Sequence, residues 1–141
     1  LGRVTVPTSV HQAKFSMGTV LGLIAVHGSA QLTEFANLAL QDPAVAAFRD
    51  KVLMRLDPEV DVAYPQRWLG RIEVLTTDGR TLRGAIDEPK GDPGNSLSRA
   101  ELEDKFRRLL AFAGKRSSDE AGVLIERVWR LRETADLSQL A

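Results

Sequence analysis

Between Phe15 and Val26 nearly every residue is apolar or small (Phe-Ser-Met-Gly-Thr-Val-Leu-Gly-Leu-Ile-Ala-Val), and no other stretch constrains the fold as much. A helix without a wet face has to be covered by the rest of a protein. Ser9 and Gln12 form a capping box ahead of the run, each side chain meeting an orphan backbone N–H of the first turn. The sequence therefore predicts one buried helix from Ser9 to His27, with Gly28 in the left-handed position that follows a helix. On a 3.6-residue wheel His11, Gly18, Gly22 and Ala25 make a flat stripe with Lys14 and Phe15 at its margins, while Gln12, Ser16 and Thr19 make a narrow polar row. Two interior glycines cost about 1 kcal/mol each against alanine, so the stripe calls for close approach of another helix or a ligand. In a regular helix Lys14 and Ser16 point nearly opposite ways, which excludes a Ser–Lys nucleophile pair.

The totals narrow the function classes. A length of 141 residues fits one domain, 1–141, with a real core. Lys plus Arg and Asp plus Glu number 19 each, interspersed, so no net field exists to hold nucleic acid or an anionic membrane surface. The absence of cysteine removes disulfides, thiolate catalysis and Cys–zinc sites, and fits a reducing, cytoplasmic setting. The apolar run is shorter than the roughly 20 residues of a membrane span, and no basic leader precedes it. Because the sequence opens Leu-Gly-Arg-Val and meets an apolar helix within ten residues, it is expected to be a fragment of a longer polypeptide.

Taken in order, Gly2 to Val6 alternates weakly, as in a short edge strand ended by Pro7. After the buried helix, Leu32, Phe35 and Leu38 predict a short helix, and Asp42-Pro43 starts a third that runs to about Arg49. Lys51 to Leu56 alternates as a strand, and Pro58 to Pro65 reads as a loop. Residues 69–76 and 80–87 form a hairpin around Asp78-Gly79. A two-residue turn would place the apolar residues of the two strands on opposite faces. A three-residue loop, Thr77-Asp78-Gly79, sets Val74 opposite Leu82 and Ile72 opposite Gly84, with Gly79 left-handed in a type I turn plus bulge. Asp87 to Ser96 is an irregular loop.

Ser98 with Glu101 caps a helix to Ala113 that buries Leu102, Phe106, Leu109 and Leu110, with Leu97 against Leu102 as a hydrophobic staple. Gly114 closes it, and Ser117 with Glu120 caps a last helix to about Arg132, with Ala121, Leu124, Ile125, Val128 and Leu131 inward. The expected class is α+β: a buried N-terminal helix and short helices, a small antiparallel sheet of about three strands, and two C-terminal helices.

Read together, Gln12-Ala-Lys-Phe-Ser16, the Asp78-Gly79 hairpin, Pro89-Lys-Gly-Asp-Pro93 followed by Asn95 and Leu97-Ser98, and Glu103 to Phe106 resemble the C-terminal domain of the MmgE/PrpD family, from His11 to Leu140. That family includes 2-methylcitrate dehydratase, cis-aconitate decarboxylase and iminodisuccinate epimerase. The resemblance implies proton chemistry beside the carboxylates of small polycarboxylic acids, with no metal and no cofactor. The cleft would lie between a large helical domain, absent here, and a smaller lid that this chain is similar to. It also implies that most acid/base groups lie in the helical domain, so the chain alone would be inactive. Thr19 stands where members often carry an aromatic residue, commonly Tyr, that reaches the substrate, and Ser96 stands where they often carry Pro.

The candidate site residues follow. His11 is a possible acid or base, since imidazole titrates near neutrality; its plain reading is a polar residue at a helix edge. Lys14 is a possible catalytic group and a point charge for a substrate carboxylate, or a snorkelling Lys at the mouth of a buried helix. Ser16 and Thr19 could hydrogen-bond the substrate or bond back to the helix backbone. Lys90, in Lys90-Gly91-Asp92, could help exposed N–H groups close over an anion, or lie in a mere connection. His27 reads as a partner of the helix C-terminal dipole, and no metal site is patterned.

The leading expectation is the lid and substrate-contact domain of a 2-methylcitrate dehydratase-like lyase. The alternatives are an epimerase of the same family or a non-catalytic interaction module. Without the helical domain, the Gly18/Gly22 face or the outer side of the sheet is expected to be exposed and covered by self-association into a homo-oligomer.

Overall fold

The structure, a computed structural model, describes residues 5–114 and 118–133. Helices come first, then an antiparallel hairpin, then two helices, the expected α+β order. The chain divides into two compact units, one of Leu1–Met54 with Arg108–Ala141, the other of Arg55–Arg107. The Gly2 to Val6 strand lies mostly outside the described residues, and Ser117 lies wholly outside them.

In the first unit the long N-terminal helix is two helices, α1 (Val10–Lys14) and α2 (Met17–His27). Ser9 caps α1 by accepting from the Gln12 N–H at 3.2 Å, and the Gln12 Oε1 reaches back to the N–H and hydroxyl of Thr8 rather than to Ser9. The expected single helix fails at Ser16. That residue takes extended dihedrals (φ −95°, ψ 104°) and starts a second N-terminus, its Oγ accepting from the Thr19 N–H. At the other end Gly28 is left-handed at φ 79°, and its N–H closes on the Ile24 carbonyl.

Short helices α3 (Leu32–Asn37) and α4 (Pro43–Arg49) follow as the sequence predicts, α4 with Asp42 as cap and Pro43 at its start. Ala13, Leu23, Phe35, Ala39 and Val45, drawn from all four helices and the turn after α3, form the core, with Val10, Val20, Ala30 and Leu38 packed around it. The glycine stripe has its partner within the chain. A Cβ on Gly22 would lie 2.9 Å from the Val45 carbonyl oxygen, and one on Gly18 would lie 2.8 Å from Arg49 Cγ. The Gly18/Gly22 face is therefore covered by α4, not left for a second copy or a missing domain. Elsewhere on α2, Ile24 and Val26 stay exposed.

In the second unit Pro58–Ala63 is a helix, α5, where a loop is expected. Asp57 caps it, Oδ1 accepting from the Glu59 and Val60 N–H groups at 2.9 and 3.4 Å, the same Asp-Pro device that starts α4. The hairpin strands are β1 (Gly70–Leu75) and β2 (Thr81–Ile86), in the register derived from the sequence: Val74 faces Leu82, and Ile72 faces Gly84. Gly79 is left-handed (φ 84°) and donates to the Thr76 carbonyl at 3.0 Å. Among the described residues the sheet has two strands, where about three are expected. Lys51 to Leu56 has no regular structure, because turn bonds from Lys51 and Val52 back to Phe48 and Arg49 prolong the end of α4, and nothing pairs with the residues after them among those described.

Helix α6 (Arg99–Ala113) has the expected capping box, with the Ser98 N–H on Glu101 Oε2 at 2.8 Å and the Glu101 N–H on Ser98 Oγ at 3.3 Å. Gly114, left-handed, ends it. Its apolar stripe is less covered than its spacing suggests: Phe106 and Leu110 are half-buried, whereas Leu102 and Leu109 are exposed. Helix α7 (Ser118–Trp129) buries Ala121 and Ile125, leaves Val128 exposed, and gives way to a 3-10 turn at Leu131–Glu133. Every buried side chain among the described residues belongs to the first unit. Among the described residues no helix is long and apolar enough to cross a membrane.

Candidate functional site

The junction of α1 and α2 holds four of the five candidate side chains. Ser16 and Thr19 are 1% and 0% exposed. Ser16 Oγ accepts two bonds from Thr19, from its N–H at 3.3 Å and from its hydroxyl at 3.0 Å. A buried hydroxyl left without a partner costs about 1–3 kcal/mol, so the pair is consistent with its surroundings only as a pair. Both hydroxyls are buried and bonded to each other at the helix break. Lys14 is the last residue of α1, exposed, two residues before the break at Ser16. His11 is also exposed, its ring packed on Phe15 at 5.1 Å between centroids and 56° between planes.

The helix break removes the premise that Lys14 and Ser16 share a regular helix. Burial now separates them, since the Ser16 hydroxyl is inside and spent on Thr19 while Lys14 lies outside.

Lys90 belongs to the second unit. Its Nζ lies 3.1 Å from Glu101 Oε1. Glu101 thus serves two neighbours at once, capping α6 and holding Lys90, and its carboxyl is pulled down to about 2, by the Ser98 N–H first, then the Ser98 hydroxyl and Lys90. The capping box was legible; the pairing with Lys90 was not, because a loop of irregular backbone separates the two residues. In Lys90-Gly91-Asp92 the Gly91 N–H donates to the Asn95 carbonyl at 2.8 Å and the Asp92 N–H to the Pro89 carbonyl at 3.2 Å. The Asn95 Nδ2 donates to the Glu88 carbonyl at 3.0 Å, closing the loop on itself.

His27, read as a dipole partner, has a carboxylate as well. Its Nε2 lies 2.7 Å from Asp42 Oδ2, so the C-terminus of α2 is tied to the residue that caps α4. The Asp42 carboxyl is held below the usual carboxylate range, by the Ala44 N–H first and by His27 second.

One unit carries an exposed cation, Lys14, beside a helix break, and the other a cation, Lys90, held by the Glu101 carboxylate. The family model of the MmgE/PrpD C-terminal domain matches residues 1–131, and the chain belongs to that family. No curated protein matches the chain.

Proposed function

We propose that the chain is the substrate-contact domain of a lyase of the 2-methylcitrate dehydratase type, acting on small polycarboxylic acids in the cytoplasm. In this reading the proton-transfer groups lie in a helical domain upstream, and the chemistry needs no metal and no cofactor. Membership of the family supports the reading. The single observation that carries the site is Lys14, exposed at the end of α1 where the buried Ser16–Thr19 pair fixes the backbone. An exposed ammonium on a rigid turn suits a carboxylate as a point charge. We assign substrate contact to Lys14 and Lys90 and the fixing of the Lys14 backbone to Ser16 and Thr19, and leave proton exchange by His11 to the rival reading in which the chain acts alone. A substrate carboxylate would compete with Glu101 for the Lys90 ammonium.

The test is to supply the upstream helical domain and screen small tricarboxylic acids for water loss. The joined protein is expected to turn over one of them and the 141-residue chain alone none. Turnover by the chain alone would put the proton transfer in His11 and Lys14 and end the division of labour proposed here.

A further inference from the structure

We propose that the outer edge of β1 pairs antiparallel with β1 of a second copy of this chain, making a four-stranded sheet across a two-fold axis. The Thr76 N–H donates to the Arg80 carbonyl at 2.9 Å, and hydrogen-bonded and non-hydrogen-bonded pairs alternate along an antiparallel ladder. By that alternation Gly70, Ile72 and Val74 spend their backbone groups on β2, and Arg71, Glu73 and Leu75 point theirs outward. None of those outward groups meets a backbone partner among the described residues, and the sheet has no third strand there. An open edge of this kind is a template for strand addition.

Charge and register select the occupant. A two-fold centred on Ile72 sets Arg71 opposite Glu73 of the partner subunit, twice over, and both residues carry outward backbone groups, so the ladder continues without a slip. The same axis sets Ile72 against Ile72 of the partner subunit and Gly70 against Val74 of the partner subunit, all on the face that holds Leu82 and Ile86. That face is apolar and 36–49% exposed at Ile72, Val74, Leu82 and Ile86. Opposite charges directly across a strand pair are favourable and like charges are not. Centring on Glu73 would oppose two carboxylates, and the outward residues of β2, Thr81, Arg83 and Ala85, offer no opposite-charge pair in any two-fold register. Within its own hairpin Glu73 already meets Arg83 at 2.8 Å, and Arg71 meets Asp87 at 3.1 Å and Glu59 at 3.5 Å, so pairing would add a second arginine to Glu73 and a further carboxylate to Arg71.

The experiment uses the 141-residue chain. Sedimentation across a wide concentration range is expected to show a reversible dimer. Mixed isotope labelling should then give an intermolecular contact between the Ile72 α-protons, which face each other closely in a non-hydrogen-bonded pair. Amide exchange at Arg71, Glu73 and Leu75 should slow as the dimer forms. Glu73→Pro removes an outward N–H and no ladder bond, and Glu73→Lys places a cation opposite Arg71; each should weaken association by on the order of tenfold or more. Arg83→Gln breaks the same intramolecular ion pair and should leave association unchanged, with the hairpin checked by its cross-strand contacts in every variant. A monomer at all concentrations overturns the proposal, as does a dimer indifferent to Glu73→Lys. Protection of the three amides only when the upstream helical domain is added also overturns it, and would make that domain the occupant.

Discussion

Gly22 of α2 lies against the backbone of Val45 in α4, so close that a Cβ there would stand 2.9 Å from the Val45 carbonyl oxygen and 3.2 Å from its Cγ1. A backbone oxygen in a packed helix cannot step aside. Overpacking of this kind costs about 1–3 kcal/mol, more than the roughly 1 kcal/mol that alanine gains in helix propensity. Gly22→Ala is expected to lower stability by up to about 2 kcal/mol in urea unfolding. Gly18→Ala should cost less, since the Arg49 Cγ at 2.8 Å belongs to a side chain and the nearest backbone atom, the Arg49 carbonyl oxygen, lies at 3.1 Å, farther than that of Val45 from Gly22. A gain in stability from Gly22→Ala would mean that α2 and α4 are not packed in this way.

Ser16→Ala removes the cap of α2 and strands the buried Thr19 hydroxyl. The expected cost is about 1–3 kcal/mol. Because Ser16 accepts from both the N–H and the hydroxyl of Thr19, Thr19→Val in the same chain should recover part of the loss. A double-mutant cycle checks this, and additive losses would show that the two hydroxyls do not interact.

The Glu101 carboxyl should titrate near pH 2, well below its ordinary 4.5. A folded pKa below the unfolded one means that the bonds to Ser98 and Lys90 contribute fully above about pH 4.5 and fade as the pH falls toward 2. Carboxyl NMR should show that midpoint, with the Ser98 amide exchanging faster as the acid range is entered. Glu101→Gln should abolish the response. A Glu101 midpoint at its ordinary value would break the link between the helix cap and Lys90.

Lys14→Ala alters an exposed residue and should leave stability within about 0.5 kcal/mol. In the protein joined to its helical domain it should raise KM for a polycarboxylic acid by on the order of tenfold or more, as loss of a charge-assisted contact does. Lys90→Ala should raise KM too. An unchanged KM in both variants would remove these lysines from the site.

Much of the fold was legible because local signals carried it: the caps at Ser9, Asp42 and Ser98, the left-handed Gly28, Gly79 and Gly114, and a hairpin register that only a three-residue loop satisfies. The break at Ser16 was not, because a run of apolar residues shows no change of period where a serine turns from helix surface to helix cap. The α5 helix was missed although Asp57-Pro58 carries the same start signal as Asp42-Pro43; the second proline, Pro65, suggested a loop. Alternation over Lys51 to Leu56 described a strand in search of an edge, and pairing is a property of two segments, not one. At the site, Lys14 and His11 stand exposed as a candidate contact must, whereas the burial of Ser16 and Thr19 follows from tertiary packing that no wheel of a single helix displays.

The concentration of shielded side chains in one half of the chain has a consequence for how substitutions are tolerated. Large losses arise from cavities and stranded polar groups, which need buried sites. Replacements of exposed side chains without bonded partners between Arg55 and Arg107 should therefore change the melting of the protein little, while those at Leu23, Phe35 or Val45 should lower it. Whatever restrains sequence drift across the hairpin must then come from the surfaces it meets outside itself, and a deep mutational scan read for abundance and for turnover would separate the two pressures residue by residue.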